Sequence, residues 1–196
     1  MKLNKSFYTR NNVVEIARDL IGKVLVTRID NIYTSGIISE VEAYNGIYDK
    51  ACHAFNGRRT TRTEIMYSNG GTAYIYLCYG MHHLFNVVTN KKDIPDAVLI
   101  RAVYPMEGVE IMMKRRNKIK IDKTLSGGPG TVSQSMGLHI GLNGTSLYKN
   151  EICIEDRSIK IDSDKIMVTT RIGVESAGKD ALLPYRFVLK HEYITT

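Results

Sequence analysis

The chain predicts an α+β domain built on a mainly antiparallel β-sheet. Short β-forming runs recur along it, and the first two and a later pair are joined by compact turn signals, as hairpins require. Helical periodicity is confined to a few short segments. Its 196 residues, 43% of them hydrophobic, hold no internal repeat, low-complexity tract or linker that would split them. One domain spanning 1–196 with a sizeable core is therefore expected.

The elements follow in order. Asn11 or Asn12 caps a helix over 13–21, with apolar residues at 13, 14, 16, 17, 20 and 21 on one face and Gly22 as its stop. Residues 23–29 form a strand, Asp30-Asn31 a turn, and 34–44 a second strand. Residues 45–71 are irregular, with Asn45-Gly46, Asn56-Gly57 and Asn69-Gly70-Gly71 as turn signals. Such a long loop usually carries function or short helices. Residues 72–78 and 84–89 then pair as a hairpin through Tyr79-Gly80-Met81-His82-His83. A strand over 97–103, a helix over 109–118, and a helix opening at Pro129 and running through Gln134 and Met136 come next. Short strands near 152–154, 159–161 and 185–190 complete the chain.

The charge is +7, from 27 basic and 20 acidic residues. A basic balance favours polyanionic partners by raising encounter rate and nonspecific affinity. No stretch of about 18 apolar residues exists, so no membrane partner is expected. The start, Met1-Lys2-Leu3-Asn4-Lys5-Ser6, has no apolar signal-peptide region, and a cytoplasmic protein is expected. Cys52, Cys78 and Cys153 are odd in number and far apart, which argues for reduced thiols. No metal signature is present.

The chemistry concentrates in three segments. In Glu40-Val41-Glu42-Ala43-Tyr44, alternation puts both carboxylates and Tyr44 on one face and Val41 and Ala43 on the other. One carboxylate is then paired with a cation, Arg101 being a candidate, and one is left to take a proton. By itself, this motif fits two solvent-facing glutamates better than a reactive pair. On residues 72–78, Tyr74 and Tyr76 share a face suited to stacking on a base, although a tyrosine-rich core face explains them slightly better. Tyr79, beside Gly80 at the hairpin tip, has the place of a wedge that fills the gap left by an extruded nucleotide. Asn56-Gly57-Arg58-Arg59-Thr60-Thr61-Arg62 holds three arginines in five residues and suits a phosphate backbone. Ser126-Gly127-Gly128-Pro129-Gly130-Thr131 offers backbone N–H groups at a helix start, without the lysine of a P-loop.

The ordered set of segments 40–44, Ala51-Cys52-His53, 57–60, 76–81, Phe85-Asn86-Val87, 98–102, 126–129 and Arg171-Ile172-Gly173-Val174 resembles the alkyladenine (3-methyladenine) DNA glycosylase family over nearly the whole chain. The resemblance implies a curved sheet flanked by helices with a protruding β-hairpin, similar to the formyltransferase C-terminal domain. It implies a monomeric, metal-free and cofactor-free enzyme that removes damaged purines from double-stranded DNA. Glu42 would be the general base, and Arg101 would help it hold the attacking water. Tyr44, His53 and Tyr76 would sandwich the flipped base, and Asn86 would crowd out the amine of intact guanine. Tyr79 would intercalate, while Arg58, Thr60 and Met81 would touch the backbone or groove. The stretch 117–126, rich in Lys and Ile, departs from the family pattern, as does His82. The competing expectations are a noncatalytic nucleic-acid binder and a small-nucleoside hydrolase using Glu40 and Glu42 as a carboxylate pair.

Overall fold

A computed structural model of the protein describes residues 1–190. Helix α1 (Lys5–Tyr8) and helix α2 (Val13–Leu20) lead into the hairpin β1 (Val24–Ile29) and β2 (Ile32–Tyr44). After the long loop come β3 (Thr72–Cys78), β4 (His82–Thr89) and β5 (Asp96–Glu107). Helices α3 (Val109–Arg115) and α4 (Pro129–Met136) precede β6 (Ile152–Glu155), β7 (Ile166–Thr169) and β8 (Arg186–Leu189). The strands form one antiparallel sheet in the order β3-β4-β5-β2-β1-β6, with β8 joining β2 and β7 joining β8. The register of β2 against β5 shifts between Ile38 and Val41, and bulges of this kind bend a strand and raise its twist.

Local chemistry accounts for the boundaries. The Asn12 side chain accepts the N–H groups of Val14 and Glu15 at 3.0 and 3.2 Å, so α2 starts where the cap residue predicts. Asp30 and Asn31 both take positive φ, as a two-residue turn between twisted strands demands. The apolar faces of α2 and α4 and the inner face of the sheet build the main core around Ile16, Leu20, Ile38, Phe85, Ile100 and Met136. A second cluster, with Cys52, Met66, Tyr67, Tyr74 and Val88, lies beneath the long loop and anchors it.

Several expectations need correction. His82 and His83 belong to β4, because Tyr79-Gly80-Met81 alone closes the turn with Cys78 paired to His82. Strand β5 runs beyond 103 to Glu107, since the 13-residue β2 offers it partners that far. The expected helices over 13–21 and 109–118 stop at Leu20 and Arg115. No strand forms at 159–161; Ile159 and Ile161 instead pack their side chains on the core. Helix α1 and strand β7, which the sequence did not suggest, are four residues each, too short for a clear period.

Candidate active site

Strand β2 is interior to the sheet along its whole acidic stretch. β5 pairs along one side, and on the other β1 covers the first half while β8 pairs with Glu40–Glu42. An arginine therefore approaches from each neighbour. Arg101 on β5 and Arg186 on β8 both donate through Nε to Glu40 Oε1 at 2.8 Å. Arg101 Nη1 also lies 3.3 Å from Glu42 Oε1. Glu42 is fully buried, where its Oε1 accepts the Ile172 N–H at 2.8 Å and its Oε2 accepts the Tyr44 hydroxyl at 2.8 Å. The expectation of two solvent-facing glutamates is overturned: the strand is paired on both sides, and the segment carrying Ile172 reaches the carboxylate. A buried carboxylate is tolerable only with such donors. Both carboxylates share Arg101, so its cation is not reserved for one.

Tyr44 is fixed from behind. The Arg171 guanidinium sits 4.9 Å from its ring centre. Arg171 is itself buried and bonds both carboxylate oxygens of Asp49, the Ala43 carbonyl at 2.9 Å and the Asp180 carbonyl at 2.9 Å. Burial and then the adjacent Glu42 push the Tyr44 hydroxyl well above the usual tyrosine range, which keeps it a donor to that carboxylate.

A cavity of about 390 Å³ opens in front of these groups. Its size falls in the ~300–1,000 Å³ range of small-molecule sites. Tyr44, His53, Tyr76, Tyr79, Asn86 and Arg101 all line it. Glu42 does not line it; three donors that touch or approach its carboxylate, Tyr44, Arg101 and Ile172, form that part of the wall. The rings are interlocked: His53 meets Tyr76 edge-on at 4.8 Å, and Tyr74 tilts against Tyr76 at 5.4 Å. Asn86 is buried, and its amide nitrogen donates to the Tyr74 and Leu84 carbonyls at 3.1 and 3.4 Å. Those two acceptors orient the amide.

His53 is held as a neutral ring of defined tautomer. Arg62 Nη2 lies 3.2 Å from Nε2 and can only donate, so Nε2 accepts and Nδ1–H donates to the Tyr74 hydroxyl at 2.9 Å. Burial, then the cations of Arg62 and Arg58, lower its pKa to about 4. Arg62 also stacks over Tyr76 at 4.6 Å. The sequence placed Arg62 only in a phosphate-contacting loop; its role at the aromatic wall had no sequence signal. The Ile172 N–H, a backbone group, had none either.

Tyr79 is 90% exposed at the tip of the β3–β4 hairpin, with φ of 50°. Met81 beside it is also exposed. Arg58 and Thr60 are exposed and lie outside the cavity lining. Arg59, between them, is turned away into pairs with Glu64 and Asp93. The structure thus gathers Tyr44, His53, Tyr76, Tyr79, Asn86 and Arg101 around one hollow with Glu42 behind its wall, and leaves Arg58, Thr60 and Met81 on the outer surface.

The family model of methylpurine-DNA glycosylases matches residues 6–193. This chain belongs to the methylpurine-DNA glycosylase family. A relative from Chlamydia abortus is 48% identical over 188 residues, covering 95% of this chain and 97% of its own length. One from Chlamydia pneumoniae is 44% identical over 191 residues (97% of this chain, 96% of the relative), and one from Clostridium acetobutylicum 41% over 197 residues (97% and 95%). Each is named "Putative 3-methyladenine DNA glycosylase". Within this glycosylase chain, no helix of the described residues is long and apolar enough to cross a membrane. The same residues hold no group of three or more His, Cys, Asp or Glu side chains arranged for a metal.

Proposed function

We propose that this chain excises alkylated purines, 3-methyladenine foremost, from double-stranded DNA by rotating the damaged nucleotide into the aromatic cavity and hydrolysing its N-glycosidic bond. The observation that carries this reading is a fully buried carboxylate, Glu42, held just behind the wall of a tyrosine-lined hollow by three donors that form that wall, beside an exposed hairpin tyrosine.

Unstacking a nucleotide costs a few kcal/mol, and less at damaged pairs. Tyr79 offsets part of that cost by filling the vacated space. The base then stacks among Tyr44, His53 and Tyr76. A cationic 3-methyladenine gains a cation–π term of roughly 0.5–2 kcal/mol and already leaves readily, so stacking and bond lability do most of the selection. Asn86 crowds the position of guanine's exocyclic amine. As C1′ acquires oxocarbenium character, Glu42 stabilises the charge and takes a proton from a water that Arg101 helps to hold. The bond electrons leave with the base, and the hydroxide adds to C1′. The products are free base and an abasic site. A neutral purine such as hypoxanthine needs protonation or a hydrogen bond to leave and is a slower substrate. No lysine among the described residues lines the cavity, which supports a monofunctional enzyme acting without a Schiff base. Arg58, Thr60 and Met81 contact the backbone or groove from the exposed surface, and a monomer suffices. The nucleoside-hydrolase alternative is disfavoured, because two arginines bind Glu40 and keep it from acting as a free partner of Glu42.

The test is incubation of purified protein with methylated duplex and with hypoxanthine-containing duplex, followed by chromatography of free bases. Release of 3-methyladenine, with hypoxanthine slower, is expected; binding to both without release would reduce the protein to a noncatalytic binder.

A further inference from the structure

A second cavity, about 470 Å³, adjoins the aromatic one. Glu40 lines it while Glu40's partner Arg101 lines the first; Gly127 and Gly128 line it while Pro129 lines the first. We propose that this second cavity binds a backbone phosphate of the DNA strand whose base enters the aromatic hollow, an inference that rests on DNA being the substrate.

The donors around it suit an anion. Helix α4 opens at Pro129 behind Gly128, which has no side chain to accept its first-turn N–H groups. The Thr131 hydroxyl, also in the lining, is turned back to the Gly128 carbonyl at 2.8 Å and leaves those N–H groups uncapped. Such a helix start attracts phosphate through aligned N–H groups and the helix dipole.

Ser39 points independently to a ligand. It is only 2% exposed, lines the cavity, and its hydroxyl has no hydrogen-bond partner among the described residues. It lies at the β2 bulge, where the register jumps from Ile38 to Glu40 and leaves Ser39 without a partner on β5. The hydroxyl faces the cavity, and a phosphate oxygen there would give it a partner.

The charges agree. Lys123 lines the cavity and forms no ion pair among the described residues. Its turn folds back against the helix start because residue 127 is glycine; a Cβ there would lie 2.0 Å from the Lys123 carbonyl oxygen. Arg116 adds charge while its donors brace the Thr124 and Leu125 carbonyls and Gln134. Glu40 is the acidic residue of the lining, and Arg101 and Arg186 both counter it. A nucleotide's base and its flanking phosphate are separated by one sugar, so two adjoining cavities, one aromatic and one cationic, fit a single extruded nucleotide.

The test uses the full chain and a duplex with an uncleavable abasic analogue, in which each phosphate near the lesion is replaced in turn by a neutral methylphosphonate. Affinity is read by fluorescence anisotropy. In the wild type, one phosphate position is expected to cost about tenfold in affinity. Lys123→Gln should cost about tenfold, reduce the salt slope by about 0.9, and become insensitive to the methylphosphonate at that position. Ser39→Ala should lose part of the same sensitivity. Independent effects of Lys123→Gln and every methylphosphonate overturn the proposal. So does titration with inorganic phosphate that shifts the amide resonances of Gly128, Gly130 and Thr131 while the DNA shows no coupling, because the cavity then serves free anions. Coupling in a protein that releases no base from any damaged duplex leaves this inference standing and removes the glycosylase reading.

Discussion

Replacing Glu42 with glutamine separates chemistry from architecture. The side chain accepts from the Ile172 N–H and the Tyr44 hydroxyl, each at 2.8 Å, and faces Arg101 at 3.3 Å. An amide keeps this shape. Its oxygen continues to accept from Ile172, and its NH₂ donates to the Tyr44 oxygen. Each charge-assisted bond falls from about 1.5–3 kcal/mol to about 0.5–1.5 kcal/mol, a loss near 1 kcal/mol per contact. Removing a buried charge returns part of that, and Arg101 keeps Glu40. A net destabilisation of about 1–2 kcal/mol follows, lowering Tm by about 2–8 °C for a chain of this size. Loss of a general base, by contrast, costs about 10²–10⁴-fold in rate. The assay is single-turnover release of 3-methyladenine from duplex, with affinity for an abasic-analogue duplex measured in parallel. The variant should fold, bind within about threefold of wild type and release base at least about 100-fold more slowly. Release at the wild-type rate would refute the role given to Glu42.

Three further outcomes are expected. Tyr79→Gly relieves a non-glycine residue at φ of 50°, so Tm should hold or rise by about 2–4 °C, while 2-aminopurine fluorescence reporting base extrusion should fall; an unchanged fluorescence response would remove the wedge. His53, with its pKa lowered from 6.5 to about 4, binds its proton more weakly folded than unfolded. Its contribution, roughly 3 kcal/mol, is therefore present above pH 6.5 and lost as pH falls toward 4, so urea melts across that window should show a shallower pH slope for His53→Gln than for wild type. Asp49→Ala leaves the buried Arg171 without its carboxylate and should cost about 3–5 kcal/mol in urea melts, whereas Arg59→Ala, at an exposed ion pair, should shift the urea midpoint far less.

The sheet was legible in the sequence because its strands are bounded by strong punctuation. Asp30-Asn31 and Tyr79-Gly80 fix two hairpins, and Asn12 fixes a helix start. Strand β7 escaped notice because its burial does not alternate, and Ile159-Lys160-Ile161 misled because alternation there serves packing without pairing. At the site, six residues carried by the family pattern, Tyr44, His53, Tyr76, Tyr79, Asn86 and Arg101, line one hollow, while Arg58, Thr60 and Met81 stay outside it. Period-two reasoning grouped Glu40, Glu42 and Tyr44, yet suggested exposure, because nothing local reveals that β8, more than 140 residues later, pairs beside them. The groups that hold the site together, Arg171 on Asp49 and the Ile172 N–H on Glu42, are long-range contacts that no spacing announces.

The most direct measurement is a crystal structure of the wild-type protein on duplex DNA carrying a 2′-fluorinated, uncleavable damaged purine. The purine should lie among Tyr44, His53 and Tyr76, with a water between Glu42 and C1′ and the Tyr79 ring in the helix. A purine still stacked in the duplex, or an anomeric carbon beyond the reach of a water bound to Glu42, would contradict the account.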